Sequence, residues 1–141
     1  MEFGAEEQGP TRRLTENEMN ARQKKREPVT YETVREIALA LPGAEEGTSY
    51  GTPACKVKGK LFARLHQDAE SLVIGVDFEQ REILMAAAPK KFYITDHYLN
   101  YPWMLVRLSA VRRDEIRDLL IQSWRRAAPR RLVSAFYRPG D

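Results

Sequence analysis

One stretch decides the fold of this chain: His97-Tyr98-Leu99-Asn100-Tyr101-Pro102-Trp103-Met104-Leu105-Val106-Arg107-Leu108. A polar, aromatic loop runs into a proline, and an apolar segment follows it. Proline has no N–H to donate to a sheet, so it belongs at or just before the first position of a strand. Aliphatic side chains occupy both parities of residues 103–108, which predicts an interior strand with both faces covered.

The segments around this strand show alternating helical and extended patterns. The order of elements is a helix capped by Thr30 and ended by Pro42-Gly43, strands at 54–57, 60–65 and 71–76, a helix capped by Asp77 and stopped by Pro89, strands at 92–95 and 103–108, and helices at 113–126 and 130–136. Residues 44–53, rich in Gly, Thr and Ser, are predicted to form a loop.

The connections within each group of strands are too short for parallel crossovers, so the sheet is predicted to be antiparallel. The predicted fold class is therefore α+β, a two-layer domain with a five-stranded antiparallel sheet in the order α-β(3)-α-β(2)-α plus a short C-terminal helix. Strict alternation along 60–65 would divide its side chains between two faces. One face would carry Leu61, Ala63 and Leu65, and the other Lys60, Phe62 and Arg64.

Length and composition favour one folded domain. Residues 1–28 have mixed charge and few large apolar side chains, which predicts a flexible N-terminal tail before a single domain at 29–138. No apolar run approaches the roughly 20 residues that span a bilayer. No membrane association is therefore expected, and the expected compartment is the cytoplasm. Cys55 is the only cysteine, which excludes an internal disulfide and a zinc cluster built from cysteines.

Several strings, in the same order along the chain, resemble the MmcQ/YjbR family. They are Gly51-Thr52-Pro53-Ala54, Lys58-Gly59-Lys60-Leu61-Phe62-Ala63-Arg64-Leu65, Thr95-Asp96-His97-Tyr98, Tyr101-Pro102-Trp103-Met104-Leu105-Val106-Arg107-Leu108 and Ala128-Pro129-Arg130-Arg131-Leu132. The resemblance covers nearly all of residues 30–136 and implies an antiparallel α-β(3)-α-β(2)-α fold. It also implies DNA binding through two loop "wings", and it carries no catalytic residues over. Cys55 departs from the family pattern, in which an aromatic residue is commoner.

Basic side chains mark a candidate nucleic-acid surface. The hairpin Lys56-Val57-Lys58-Gly59-Lys60 places three ammonium groups around a tight turn, where they could neutralise phosphates without reading sequence. Arg64 and Arg107 would interleave with Phe62 and Trp103 if these side chains share a face. The predicted nucleic-acid contacts are Lys56, Lys58, Lys60, Arg64 and Arg107. Equally, lysines protect edge strands from aggregation, and the rings could be core.

The C-terminal region is also basic. From residue 112 to 138 the sequence has eight arginines against three acidic residues, a local excess of +5 in a chain whose formal charge is +3. A solvated helix face explains this pattern, and an anion-facing patch is the alternative.

The loop before the long strand supplies a second candidate site. His97, Tyr98, Tyr101 and Trp103 are predicted to line a cleft or surface for a small ligand or a protein partner, including a second copy of the chain. An acid–base cluster of Asp96 and His97 with Glu45 or Glu46 is a third hypothesis.

Sequence signatures of enzymes are missing, since there is no Gly-x-Gly-x-x-Gly, no P-loop and no Gly-x-Ser-x-Gly. The sequence thus predicts a non-enzymatic protein with no catalytic residue, no metal and no cofactor. The predicted function is DNA binding, weak or non-specific, and the alternative is a protein-interaction or small-ligand-binding domain.

Overall fold

The computed structural model of the chain describes residues 15–19 and 27–137. Most of the predicted tail, and the last residue of the predicted domain, lie outside these ranges. Residues 16–19 form a short helical turn. The main elements are α1 (Tyr31–Leu39), β1 (Ala44–Ser49), β2 (Thr52–Val57), β3 (Lys60–Leu65), β4 (Ser71–Gly75), α2 (Phe78–Ala87), β5 (Phe92–Tyr93), β6 (Trp103–Arg107), α3 (Arg113–Ala127) and α4 (Arg130–Tyr137). Short 3₁₀ turns at Asp96–Tyr98 and Leu108–Ala110 flank β6.

The strands of the described chain form one antiparallel sheet in the order β1-β2-β3-β4-β6-β5. The α+β class and the antiparallel sheet are confirmed. β6 lies between β4 and β5, so the proline-led segment is an interior strand, as its two-sided apolar pattern predicts. Met104, Leu105 and Val106 at its centre are fully buried.

The prediction of a loop at 44–53 is wrong, because β1 occupies most of it and raises the strand count to six. β1 pairs with β2 along its whole length, from Ala44 opposite Val57 to Ser49 opposite Thr52. It is a polar edge strand with mostly exposed side chains, so it carries no hydrophobic alternation to reveal it. Its partner strand, which supplies the ladder of hydrogen bonds, is what makes it extended.

The predicted alternation along β3 is also wrong, because the strand contains a β-bulge. Cys55 pairs with Ala63 and Lys56 pairs with Leu61, so Phe62 has no partner on β2. One extra residue shifts the parity of a strand. Phe62 and Ala63 therefore both enter the main core, while Leu61 joins Arg64 on the other side of the sheet.

The main core lies between one face of the sheet and helices α1 and α3. The predicted inward stripe of α3 is confirmed: Ile116, Leu119, Leu120, Ser123 and Trp124 are all buried. Two polar groups on this stripe tie the layers together. Ser123 Oγ accepts the N–H of Gly75 at 2.8 Å and donates to the carbonyl of Phe62 at 2.5 Å, while Trp124 Nε1 donates to the carbonyl of Pro42 at 2.9 Å.

The helix starts follow the predicted caps. Thr30 accepts the N–H of Thr33, and Asp77 accepts the N–H of Gln80 at 2.7 Å. The chain leaves α1 through Pro42-Gly43, where Gly43 has φ 72° and a Cβ would lie 2.8 Å from Leu132 Cδ1. Glycine suits this position, because it adopts that backbone conformation without strain and has no Cβ to displace the Leu132 side chain.

Candidate functional site

The sheet face away from α1 and α3 has its own small apolar cluster. Val73 of β4 pairs with Leu105 of β6, and buried Tyr98 from the loop before β6 packs on both. Tyr93, Ile94 and Trp103 are partly buried around this cluster. The loop thus folds back over its own strand and leaves a depression beside it.

That depression, here called the aromatic cleft, has a volume of about 350 Å³. Its lining residues are Tyr50, Leu61, Arg64, Val73, His97, Tyr98, Tyr101 and Trp103. The cleft brings together all four residues predicted from the sequence for ligand contact, and it adds Arg64, which was predicted for nucleic acid. Phe62 is not part of it, because the bulge turns its ring into the main core.

Three lining residues were missed from the sequence. Tyr50 sits at the β1–β2 turn, which requires the unpredicted strand β1, and it has φ 54° beside Gly51 at φ 79°. Leu61 reaches the cleft only because of the bulge, and Val73 is one of many apolar strand residues. A tyrosine next to a glycine in a Ser-Tyr-Gly-Thr turn was the one local signal available.

Arg64 is buried in the wall of the cleft, with 3% of its surface exposed. Its Nη2 donates to the hydroxyl of Tyr98 at 2.5 Å. Its Nη1 makes three longer contacts, to Thr52 Oγ1 at 3.3 Å, the Leu65 carbonyl at 3.4 Å and Gln67 Oε1 at 3.4 Å. Its Nε is buried and has no hydrogen-bond partner in the described chain. The ring of Tyr50 lies 5.1 Å from the guanidinium carbon.

None of the ion pairs formed by the described residues includes Arg64. A second cavity of about 200 Å³ shares Tyr50, Arg64, His97 and Tyr98 with the aromatic cleft and adds His66, Gln67 and Thr95. Arg64 therefore lines two adjoining cavities. Its charge is held by neutral oxygens alone among the described groups.

A second buried arginine fixes the loop that carries the cleft's aromatic rings. Arg81 of α2 is 5% exposed and donates to four backbone carbonyls. These are Tyr98 O at 2.9 Å, Tyr101 O at 2.7 Å and Trp103 O at 3.0 Å from Nη1, and Leu99 O at 3.0 Å from Nη2. Sequence reasoning missed this residue, because an arginine in an amphipathic helix is ordinarily a surface residue.

The ring of His97 lies near two tyrosine rings of the loop, those of Tyr98 and Tyr101. His97 packs edge-on to Tyr98 with ring centres 4.7 Å apart, and His97 lies 6.5 Å from the ring of Tyr101. Tyr98 is buried, whereas Tyr101 is 58% exposed at the mouth of the cleft. The loop thus presents both an anchored ring and an accessible one.

The predicted basic residues lie on two parts of the domain, the β2–β3 hairpin and the sheet face of the cleft. Arg107 shares the sheet face of Arg64, but it stacks on Tyr93 at 4.0 Å and contacts the carbonyls of Pro89 and Lys90 at 3.5 and 3.3 Å. Lys58 is at the tip of the β2–β3 hairpin, with φ 50° before Gly59 at φ 80°, which confirms the predicted tight turn. Arg64 and Arg107 are thereby engaged with protein groups.

The acid–base cluster considered from the sequence is not assembled. Glu46 lies on β1, where Arg35 of α1 forms an ion pair with it and lowers the pKa of its carboxyl. Neither Glu45, Glu46 nor Asp96 lines the cleft that holds His97. Arg35 holds Glu46 on the α1 side of the sheet, whereas the loop that carries Asp96 and His97 lies on the other face, so Glu46 does not join them.

Cys55 is buried beside α1. Its Sγ lies 3.5 Å from the hydroxyl of Tyr31, and burial raises the pKa of the thiol. Burial, together with the Cys55 contact, also raises the pKa of Tyr31. An unreactive packing role follows for this cysteine. In the described part of the chain, no three side chains of His, Cys, Asp or Glu come together in a way that could hold a metal ion.

The basic C-terminal region borders an open groove of about 640 Å³ between α2, α3 and α4. Arg117, Arg125 and Arg126 line it together with Asp118 and the ring of Tyr137. Arg125 stacks on Tyr137 at 5.4 Å. The groove is separate from the aromatic cleft.

Fold and cleft together define a small α+β domain with an open antiparallel sheet and a preformed, ligand-sized depression under one loop. The family model described as YjbR matches residues 39–126, which is more than half of the chain. The chain belongs to the YjbR family. None of the helices in the described ranges is both long and apolar enough to cross a membrane.

The relatives are similar over part of the domain. Uncharacterized protein Rv2570 of Mycobacterium tuberculosis is 36% identical over 53 residues, which is 38% of this chain and 41% of the relative. Uncharacterized protein Mb2600 of Mycobacterium bovis gives the same figures. The matched segment therefore spans about two fifths of the length of these relatives.

One solved structure is similar over more of the chain. The crystal structure of Deinococcus radiodurans protein DR2400, described with a DUF419 domain, superposes with a TM-score of 0.60 at 26% identity. The match covers 69% of this chain and 77% of that one.

Proposed function

We propose that this protein binds a small, planar ligand in the aromatic cleft. The observation that carries the proposal is the convergence of Tyr50, His97, Tyr98, Tyr101 and Trp103 around one cavity of about 350 Å³. Ligand sites are concave, mostly apolar and roughly 300–1,000 Å³ in volume, with few polar groups. The cleft lies at the small end of that range, which suits a molecule of one or two rings.

The cleft is held open by contacts that do not involve a ligand. Arg81 ties together the backbone carbonyls of residues 98, 99, 101 and 103. A preformed site loses less conformational entropy on binding than one that must be ordered. The proposal assigns binding to the cleft and assigns no chemical step to any residue.

Titration with indole, followed by the amide chemical shifts of the protein, tests the proposal. Saturable shifts are expected for the amides around residues 97–103 and 73. Leu61→Trp should reduce this response, since it places a large ring in the cleft. The control is Ile83→Trp, on an exposed position of α2 outside the cleft. Absence of a saturable shift at the cleft with indole, and with the charged probes benzoate and phenyl phosphate as well, would reject the proposal.

Nucleic-acid binding is the second candidate, and the β2–β3 hairpin is what favours it. None of the ion pairs formed by the described residues involves Lys56, Lys58 or Lys60. Glu45 on β1 lies directly opposite Lys56 on β2, so the net charge around the β2–β3 hairpin is less positive than its three lysines alone suggest. Contact with phosphates would be weak and independent of sequence.

Fluorescence anisotropy with a labelled DNA duplex tests this second candidate. If the hairpin contacts phosphates, binding should weaken steeply as salt rises, and the variant with Lys56, Lys58 and Lys60 changed to Gln should lose about two to three units of the salt slope. Lys90→Gln, on the far edge of the sheet, is the control for total charge. Absence of binding at low salt would exclude the nucleic-acid function.

The exposed rim of the cleft suggests how a protein partner would compete with a ligand. Tyr50, Leu99 and Tyr101 are all more than half exposed there. A second copy docked on this rim would cover the cleft. Light scattering that shows a dimer released by indole would favour such an interface, and a monomer at all concentrations would reject it.

A further inference from the structure

We propose that the ligand of the aromatic cleft is an organic anion and that the guanidinium of Arg64 binds its charged group. This inference rests on the proposed ligand-binding function and narrows it to a chemical class: a planar molecule bearing a carboxylate or a phosphate. Arg64 is the one arginine among the lining residues of the cleft, and no lysine lines it.

Arg64 is buried without a counter-ion among the described residues. A buried charge is ordinarily paired, because removal from water is costly for an ion unless an opposite charge or many hydrogen bonds replace the water. Arg64 is 3% exposed, and no carboxylate of the described residues pairs with it. The site therefore has a surplus of positive charge that an anion would balance.

The hydrogen bonds of the Arg64 guanidinium are unequal in length. One of them is short, to the hydroxyl of Tyr98 at 2.5 Å, whereas the three Nη1 contacts are 3.3–3.4 Å long. The Nε–H has no partner in the described chain. Carboxylates and phosphates accept two parallel hydrogen bonds from an arginine, so such a group would replace the long Nη1 contacts with shorter, charge-assisted ones.

Aromatic side chains surround Arg64 in the cleft. The ring of Tyr50 covers the guanidinium at 5.1 Å, and that tyrosine holds a left-handed backbone conformation at φ 54°. The two-residue β1–β2 turn requires this conformation, so the turn itself fixes the ring beside the guanidinium. The ring of Tyr50 and the other aromatic rings of the cleft would flank the flat body of a ligand whose charged end meets the guanidinium.

Benzoate, benzamide and phenyl phosphate separate charge from shape, because benzamide matches benzoate in size and lacks its charge. Titrations followed by amide chemical shifts should show benzoate or phenyl phosphate binding the wild-type protein about tenfold more tightly than benzamide. The stronger of the two anions identifies the charged group. In Arg64→Gln the ratio should fall to near one, whereas Arg107→Gln should keep the wild-type ratio, since Arg107 also stacks on a tyrosine of this face but lies outside the cleft.

The outcomes distinguish the anion inference from the ligand-binding function on which it rests. Equal binding of benzoate and benzamide by the wild-type protein would overturn the anion inference and leave the cleft as a binding site. No saturable binding of any of the three probes, or of indole, would overturn the cleft itself. The wild-type comparison needs no variant, so a failure of Arg64→Gln to fold does not weaken the test. Arg64→Lys keeps the positive charge but loses the planar pair of N–H donors. This variant should retain part of the preference for benzoate over benzamide.

Discussion

Arg64 and Arg81 are both almost fully buried, and each has one exposed aromatic ring against its guanidinium. Tyr50 lies 5.1 Å from Arg64, and Phe78 lies 4.9 Å from Arg81. Their hydrogen bonds differ. Arg81 donates to four carbonyl oxygens at 2.7–3.0 Å, whereas Arg64 has one short bond, three long ones and an unpaired Nε.

This difference separates a structural arginine from a candidate binding arginine. Carbonyl dipoles surround Arg81 and replace the water that it lost on folding, so its burial stabilises the loop at 98–103. Arg64 is equally removed from water, but three of its four hydrogen bonds are long, and it lines two cavities. A buried group that the protein leaves incompletely satisfied is a reasonable place to look for a ligand.

The largest expected effect is on Arg81. Arg81→Met should lower the free energy of unfolding by about 3 kcal/mol or more, because four carbonyls, all of them buried or partly buried, lose the guanidinium as a donor. Urea denaturation measures this change. Phe78→Ala, which removes only the stacked ring, should have a smaller effect of about 1 kcal/mol. If Arg81→Met left the denaturation midpoint unchanged, the distinction between the two arginines would collapse.

The next effect concerns the one short bond of Arg64. Tyr98→Phe should destabilise the protein by about 1–2 kcal/mol, because it leaves a buried guanidinium without its best acceptor. The same change made in an Arg64→Met background should have little effect, since no charge remains to satisfy. A double-mutant cycle by urea denaturation gives this coupling directly. Additive effects of the two changes would show that the bond contributes nothing specific.

Arg64→Met alone should change the free energy of unfolding by less than about 1 kcal/mol, and the change could be stabilising, because the desolvated charge disappears along with its hydrogen bonds. The preference for benzoate over benzamide should disappear in the same variant. Thermal melting and the ligand titration check the two parts separately. A loss of stability as large as that of Arg81→Met would indicate that Arg64 is a structural residue.

The smallest effect on stability is expected at Tyr50. Tyr50→Gly should raise the free energy of unfolding by at most about 1 kcal/mol, because glycine adopts φ 54° without strain. Its affinity for benzoate should nevertheless fall, since one wall of the cleft is lost. Melting curves and benzoate titrations of the same variant would show the higher stability together with the lower affinity. Unchanged affinity would mean that the ring only shields Arg64 from water.

Sequence reasoning succeeded where a local pattern was tied to a regular element. The caps at Thr30 and Asp77, the buried stripe of α3 and the proline-led strand β6 all follow from spacing within a few residues. β1 escaped because an exposed edge strand has no apolar face, and its extended form depends on pairing with β2. Local sequence patterns predict elements that bury their own apolar side chains. They miss elements, such as β1, whose conformation depends on hydrogen bonds to a neighbouring strand.

The candidate site was predictable only in part. The loop residues His97, Tyr98, Tyr101 and Trp103 were singled out as one group because they lie close together in one polar, aromatic stretch of the sequence. Arg64 was singled out for a different function, and Arg81 was missed. Whether an arginine is exposed on a surface or buried against carbonyls depends on what the rest of the chain places around it.

By itself, the sequence determined the α+β class, the antiparallel sheet and the interior position of β6, because these follow from short connections and from side chains that must leave water. Only the tertiary structure decided that a bulge at Phe62 turns Leu61 toward Arg64 and that Tyr50 closes over them. The physical reason is that a cleft is made by residues distant in the chain, and the parity of a strand depends on the register of its partner as well as on its own pattern.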